Sequence, residues 1–263
     1  MIRTAIDLFA GAGGFSLGVK QAGFNVLAAV EFDKWAAETY RTNHKDTIMI
    51  EEDITKLTAN RLMKIAKIKR SQLDFLVGGP PCQGFTTINT KRSLDDPRSK
   101  LMSEFIRMVK GIQPKIFMIE NVPGMFAYKD FFILLMETLE KCGYIVRSLM
   151  MDAMSYGVPQ YRKRIFIQGV RKDLNFLPGF PPPTHFDPKL LKTKDYKLFT
   201  PATVAIECFA INGYPKEEAK DLYWNKSLHI QMNKKTAADT FDLAINKLIG
   251  EVIISTIQSK SKG

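Results

Sequence analysis

The chain has 263 residues, 45% of them hydrophobic and 25% charged, a balance that suits one large globular α/β domain with an appendage. No apolar run reaches the roughly 18 residues of a membrane span. Met1-Ile2-Arg3-Thr4 leads straight into an apolar strand without a signal-peptide layout, so a cytoplasmic protein with no membrane partner is expected.

Three scattered cysteines (Cys82, Cys142, Cys208) and three separated histidines (His44, His185, His229) argue against a disulfide framework and against a metal site. The formal net charge is +11, yet residues 187–263 contribute only +3, from 12 Lys/Arg against 9 Asp/Glu. The positive excess therefore sits on the body of the chain. That suits a polyphosphate partner, and equally a lysine-rich solvated surface.

In chain order, strands are predicted over Thr4–Phe9, Val26–Val30, Thr47–Ile50, Leu73–Val77, Lys115–Ile119, Tyr144–Met150 and Arg164–Val170. Helices are predicted between them over Phe15–Ala22, Lys34–Asn43, Ala59–Lys69, Ser99–Lys110 and Asp130–Lys141. Alternation of this kind predicts an α/β fold, a doubly wound and mostly parallel sheet with helices on both faces. Ligands of such a sheet bind at the carboxyl ends of its strands. The character changes after Asn175, where Pro178, Pro181, Pro182 and Pro183 mark a crossing. A boundary is placed there: residues 1–180 form the main domain, and 181–263 a linker and short appendage with helical stretches at Phe199–Ala210 and Thr236–Ile249.

The first strand ends in Asp7-Leu8-Phe9-Ala10-Gly11-Ala12-Gly13-Gly14-Phe15. Glycines after a buried strand let the backbone turn sharply and approach a ligand. Ser16 stands where a G-x-G-x-x-G fingerprint needs its third glycine, which disfavours a dinucleotide. Glu31 closes the second strand, 17 residues after Gly14, and suits the hydroxyls of a ribose. Phe32 follows it and can face a base. Asp53-Ile54 follows the third strand, where a carboxylate can accept from an adenine amino group. Either acid alone is more often a helix cap or a solvated charge, but both at successive strand ends point to a nucleoside.

The fourth strand runs into Gly79-Pro80-Pro81-Cys82-Gln83-Gly84-Phe85. Prolines beside glycines set a thiol in a defined place at the sheet's active edge. Cys142 and Cys208 fall in helical patterns and read as structural. Glu120-Asn121-Val122 closes the fifth strand. A carboxyl there, if buried, has its pKa raised and can act as an acid, and otherwise serves as a capping or structural carboxylate. In Gln160-Tyr161-Arg162-Lys163-Arg164, an extended backbone puts Arg162 and Arg164 on one side. Paired guanidinium groups suit a carbonyl oxygen or phosphates, although taken alone the motif reads first as an exposed basic loop.

Asp7–Gly18 (DLFAGAGGFSLG), Gly79–Phe85 (GPPCQGF), Glu120–Val122 (ENV) and Gln160–Arg164 (QYRKR) together resemble the ordered motifs of the cytosine-C5 DNA methyltransferase family, over about residues 1–186. The resemblance implies a pocket for S-adenosylmethionine lined by Phe9, Ala10, Gly11, Gly13 and Gly14. Glu31 would hold the ribose, Phe32 the adenine face, and Asp53 with Ile54 the adenine edge, with Pro80 and Leu101 near the methionine portion. It implies Cys82 as nucleophile, Glu120, Arg162 and Arg164 as ligands of the target cytosine, and double-stranded DNA as substrate, within a restriction–modification system. The polar segment Thr86–Arg98 is expected to close over a flipped base.

The family's C-terminal segment with Gly-Asn-Ser/Ala-Val is not found, and no Gly-Asn pair occurs in the chain. A split enzyme is therefore expected, in which a second polypeptide brings target recognition. The alternatives are a non-catalytic or truncated DNA- or cofactor-binding subunit, and a tRNA cytosine methyltransferase.

Overall fold

The computed structural model describes residues 2–81, 100–158, 160–186 and 197–198. Cys82, the segment Thr86–Arg98 and the expected helices Phe199–Ala210 and Thr236–Ile249 lie outside the described residues. So does nearly all of the appendage beyond residue 186.

Seven strands form one sheet: β1 (Arg3–Leu8), β2 (Phe24–Glu31), β3 (Ile48–Glu51), β4 (Phe75–Gly78), β5 (Ile116–Asn121), β6 (Tyr144–Asp152) and β7 (Lys163–Arg171). Their order is β3-β2-β1-β4-β5-β7-β6. β7 runs antiparallel to both of its neighbours, and every other pairing is parallel. A two-residue pair, β8 (His185–Phe186) with β9 (Lys197–Leu198), stands apart. The fold is thus the Rossmann-like α/β arrangement expected from the sequence. β1 is the switch point: the chain winds outward through β2 and β3 on one side and β4 and β5 on the other. That opens a crevice at the strand ends.

The central strands are apolar on both faces, and their alternate residues feed two cores. Ile6, Leu76, Phe117 and Ile119 join α3 (Ala59–Ile65), α4 (Lys100–Ile112) and α5 (Lys129–Lys141). Ala5, Phe75, Val77, Ile116 and Met118 join Phe15 and Val19 of α1 (Gly14–Gln21). α2 (Lys34–Asn43) adds Tyr40, packed with Ala10 and Ala29. Among the described residues no helix is long and apolar enough to cross a membrane.

Most element ends shift from the sequence expectation, usually by one or two residues, and two of the shifts have a backbone cause. β1 stops at Leu8, because Phe9 turns left-handed with φ 61°. α3 stops at Ile65 rather than Lys69. Lys67 takes φ 54°, Ile68 N donates to Met63 O (3.0 Å) and Lys67 N to Lys64 O (3.2 Å). That is a Schellman stop, built here on a lysine where glycine is the usual signal.

Candidate active site

β1 delivers the chain into a turn that reverses within five residues. Phe9, Gly11 and Gly13 have φ of 61°, 55° and 100°. Ala10 N donates to Val30 O (3.0 Å) and Gly13 N to Ala10 O (2.9 Å), which pins the turn to β2. Gly13 is the uncapped N-cap of α1, and a Cβ on it would meet His44 Nε2 at 2.2 Å. A buried chain of hydroxyls supports the turn from below. Tyr40 OH donates to Ser16 Oγ (2.6 Å), and Ser16 Oγ donates to Asp7 Oδ2 (2.7 Å). The other carboxylate oxygen, Asp7 Oδ1, is buried without a partner. Burial raises this carboxyl from 3.8 to about 7; the Ser16 hydrogen bonds oppose that rise and the Glu31 charge adds to it.

Above the turn lies a cavity of about 500 Å³ lined by Phe9, Val30, Glu31, Phe32, Glu52, Asp53, Ile54, Gly79, Pro81 and Leu101. Its size is ordinary for a site of nucleoside dimensions. Glu31 is held rigidly by backbone donors: Oε1 accepts from Phe32 N and Asp33 N, and Oε2 from Gly11 N, all at 2.8 Å. One carboxylate therefore joins the glycine turn to the end of β2. Phe32 is 74% exposed and stands at the rim. Asp53 Oδ1 accepts from Thr55 N (2.9 Å), and this backbone bond holds the carboxyl below its usual range.

β5 and β7 set the second group of residues. Glu120 lies opposite Phe166 of β7, next to the Asn121–Ile165 pair. Glu120 Oε1 pairs with Arg164 Nε at 2.7 Å, and both side chains are 17% exposed. Burial raises the Glu120 carboxyl, while the charges of Arg164 and then Arg162 oppose the rise. Arg164 thus pairs with Glu120 directly, and the charge of Arg162 acts on the same carboxyl. Arg162 is fixed through its backbone, with N donating to Asp152 Oδ1 (3.2 Å) and O accepting from Ala153 N (3.0 Å). Gly79 brings the two halves together: it lines the cavity, and a Cβ there would lie 3.4 Å from Glu120 Oε2.

Of the residues singled out from the sequence, Phe9, Glu31, Phe32, Asp53, Ile54 and Leu101 line the cavity. Ala10, Gly11, Gly13 and Gly14 shape the adjoining turn without lining it. Pro80 is buried, its O accepting from Asn121 Nδ2 at 3.0 Å, and Pro81 lines the cavity in its place. Val30, Glu52 and Gly79 are further lining residues that sequence reasoning missed. Val30 and Glu52 each sit one residue before a residue it singled out, so strand-end position was the available signal. Among the described residues no group of three or more His, Cys, Asp and Glu side chains could hold a metal ion.

The family model described as C-5 cytosine-specific DNA methylase matches residues 3–262. The chain is 41% identical over 189 residues to the Type II methyltransferase M1.HphI of Haemophilus parahaemolyticus, covering 70% of this chain and 50% of that protein. It is 38% identical over 195 residues to the Type II methyltransferase M.AquIA of Picosynechococcus, covering 70% and 78% respectively. The chain spans about half the length of most of the curated relatives that it matches. A crystal structure described as a DNA modification methyltransferase encoded within a prophage (E. coli) superposes with a TM-score of 0.62 at 31% identity, covering 81% of this chain and 56% of that one. On sequence and fold together, the chain belongs to the C-5 cytosine-specific DNA methylase family.

Proposed function

We propose that this chain is the catalytic part of a Type II DNA (cytosine-5-)-methyltransferase, moving a methyl group from S-adenosylmethionine to C5 of a cytosine turned out of duplex DNA. One observation carries the reading. The cavity walled by the strand-end acids Glu31 and Asp53 is also walled by Gly79 and Pro81, the residues leading directly to Cys82.

The cavity fits the cofactor. Phe9, Val30, Ile54 and Leu101 offer apolar walls to a base. Oε2 of Glu31 takes one hydrogen bond from the described residues and can accept a second from a ribose hydroxyl. Phe32 covers the adenine face and Asp53 with Ile54 its edge. Ala10, Gly11, Gly13 and Gly14 hold the rim, and Pro80 keeps the neighbouring loop in place. When bound, S-adenosylmethionine supplies the electrophilic methyl group.

The protein's own part is to make C5 nucleophilic. The Cys82 thiolate attacks C6, and the electron pair of the C5–C6 bond becomes available at C5. Glu120 hydrogen-bonds N3 and absorbs the charge that develops there. Arg162 holds O2, and Arg164 keeps the Glu120 carboxyl oriented. Once C5 carries the methyl group, a base takes the C5 proton, and the electron pair of that bond re-forms the C5–C6 double bond as the C6–S bond breaks and the Cys82 thiolate leaves. The ring has to be approached from its face, so the base must leave the helix, and Thr86–Arg98 is assigned to close over it. Residues 1–180 carry this chemistry, residues 181–263 follow as a separate C-terminal part, and target recognition is assigned to a second polypeptide.

The test is transfer of labelled methyl from S-adenosylmethionine to duplex DNA by the chain, alone and with candidate partner proteins. Duplexes carrying 5-fluorocytosine should trap an adduct at Cys82. Transfer that survives Cys82→Ala would refute the mechanism.

A further inference from the structure

Two walls of the cavity come from elements distant in sequence. Asp53 and Ile54 sit in the turn after β3, and Leu101 in the first turn of α4. Arg107, on the second turn beyond Leu101, spans the gap. Its Nη2 donates to Ile54 O and to Leu57 O, each at 2.8 Å. The same guanidinium is held by Glu104 one turn earlier, with Nε donating to Oε2 at 2.7 Å and Nη2 lying 2.6 Å from that oxygen.

At its entry the turn is tied to β2 by Glu52 N, which donates to Glu31 O (3.0 Å), and to α3 by Arg61, which donates to the Glu52 carboxylate (2.7 Å). Lys56 N donates to Asp53 O (2.9 Å), Leu57 N to Ile54 O (3.2 Å), and Thr55 N to the Asp53 carboxylate (2.9 Å). The bonds made from Asp53 to Leu57 are internal to the turn. Ile54 and Leu57 are buried in the core with Phe105 and Met108 of α4, but apolar packing does not set the azimuth of a carbonyl. A planar fork with several donors does set it, and a point-charge ammonium does so less well.

We propose that Arg107 is a positioning residue for cofactor recognition: by clamping the Ile54 and Leu57 carbonyls to α4, it sets where the Asp53 carboxylate meets the adenine edge. The inference rests on the cofactor reading above and deepens it. Arg107 touches no cofactor atom, so its action is through Asp53 and Ile54.

The experiment measures binding of S-adenosylhomocysteine, and of the analogue with hypoxanthine in place of adenine, to the full chain and to Arg107→Met and Arg107→Lys. Thermal unfolding of each is followed in parallel. The wild type should prefer adenine. Arg107→Met should lose about tenfold in affinity for the adenine ligand, and its preference over hypoxanthine should shrink several-fold. Arg107→Lys should recover part of both. In methyl transfer, the loss should appear in KM for S-adenosylmethionine and not in kcat at saturation.

A folded Arg107→Met chain that loses affinity for both ligands equally, or for neither, would overturn the assignment of Arg107 and leave the cofactor reading standing. If Met unfolds the chain, the shrunken preference in Arg107→Lys decides on its own, and an unchanged preference overturns the assignment. A wild-type chain with no preference for adenine overturns both readings together.

Discussion

Asn121 Nδ2 donates to the carbonyl oxygen of Pro80 at 3.0 Å, across the junction between the end of β5 and the loop that leads to Cys82. Asn121 is 4% exposed, and its Oδ1 accepts from Val122 N at 2.8 Å, so the amide is held at both ends. The neighbours Glu120 and Gly79 face each other beside this bond. The amide thus sets the distance between the Glu120 carboxyl and the backbone at Pro80, two residues before the proposed nucleophile Cys82.

Asn121→Ala should therefore damage chemistry more than cofactor binding. A displacement of about 1 Å between reacting groups is enough to cost roughly a hundredfold in rate. Leaving the Pro80 carbonyl without its donor should also cost about 1–3 kcal/mol of stability. Single-turnover methyl transfer and S-adenosylhomocysteine titration of the same preparation separate the two effects. Equal losses in both would mean that Asn121 supports the whole fold and not the junction.

Glu120 offers a pH test. Burial raises its carboxyl, and Arg164 and Arg162 hold the rise in check. A proton on this group favours hydrogen bonding to N3 of cytosine, so the transfer rate should fall on the alkaline side as the carboxyl ionises. Glu120→Gln keeps a donor and cannot ionise. It should flatten that limb while lowering the rate by about 10²–10⁴. A pH–rate profile measured at saturating DNA and cofactor decides. An alkaline limb that persists unchanged in Glu120→Gln would assign it to another group.

Most of the sheet was legible in the sequence because its strands are apolar runs bounded by turn residues, and its helices carry the 3.6-residue pattern. α2 starts and ends where the pattern places it, with Asp33 accepting from Ala36 N at its start. The ends that were missed have no compositional sign. Lys67 and Phe9 adopt φ of 54° and 61°, which no residue-type rule assigns to lysine or phenylalanine. The strand-end acids were legible as cavity-lining residues because a parallel sheet opens its crevice at the ends of its strands. Pro80 and Pro81 were not separable, since which of two adjacent prolines faces a cavity depends on tertiary contacts such as that from Asn121. The hydroxyl chain beneath the turn was equally hidden, because Asp7, Ser16 and Tyr40 are far apart in sequence and meet only through packing.

Gly13 gives the sharpest local prediction. Its φ of 100° strains any L side chain, and a Cβ would stand 2.2 Å from His44 Nε2 and 2.9 Å from Tyr40 Cδ2. Gly13→Ala should weaken S-adenosylhomocysteine binding at least tenfold and lower stability by about 1–3 kcal/mol. Trimming His44 to alanine in the same chain should recover only part, because the backbone strain remains. Calorimetric titration of both variants checks this, and full recovery in the double variant would show that the clash alone was at fault.

Asp7 links the buried hydroxyl chain to pH. The unfolded chain releases this proton near pH 4, whereas burial makes the folded chain keep it until about pH 7. Between those values the folded state binds more protons than the unfolded one. Stability therefore falls as pH rises through the window and levels off above it. At 1.36 kcal/mol per pH unit, the cost above pH 8 is on the order of 4 kcal/mol. Asp7→Asn keeps an oxygen for the Ser16 hydroxyl and has no proton to lose. Urea unfolding at pH 5 and pH 8 should show a smaller drop for Asp7→Asn than for the wild type. Parallel pH profiles for the two chains would mean that the carboxyl is already ionised in the fold, and that the partnerless Oδ1 is reached by solvent.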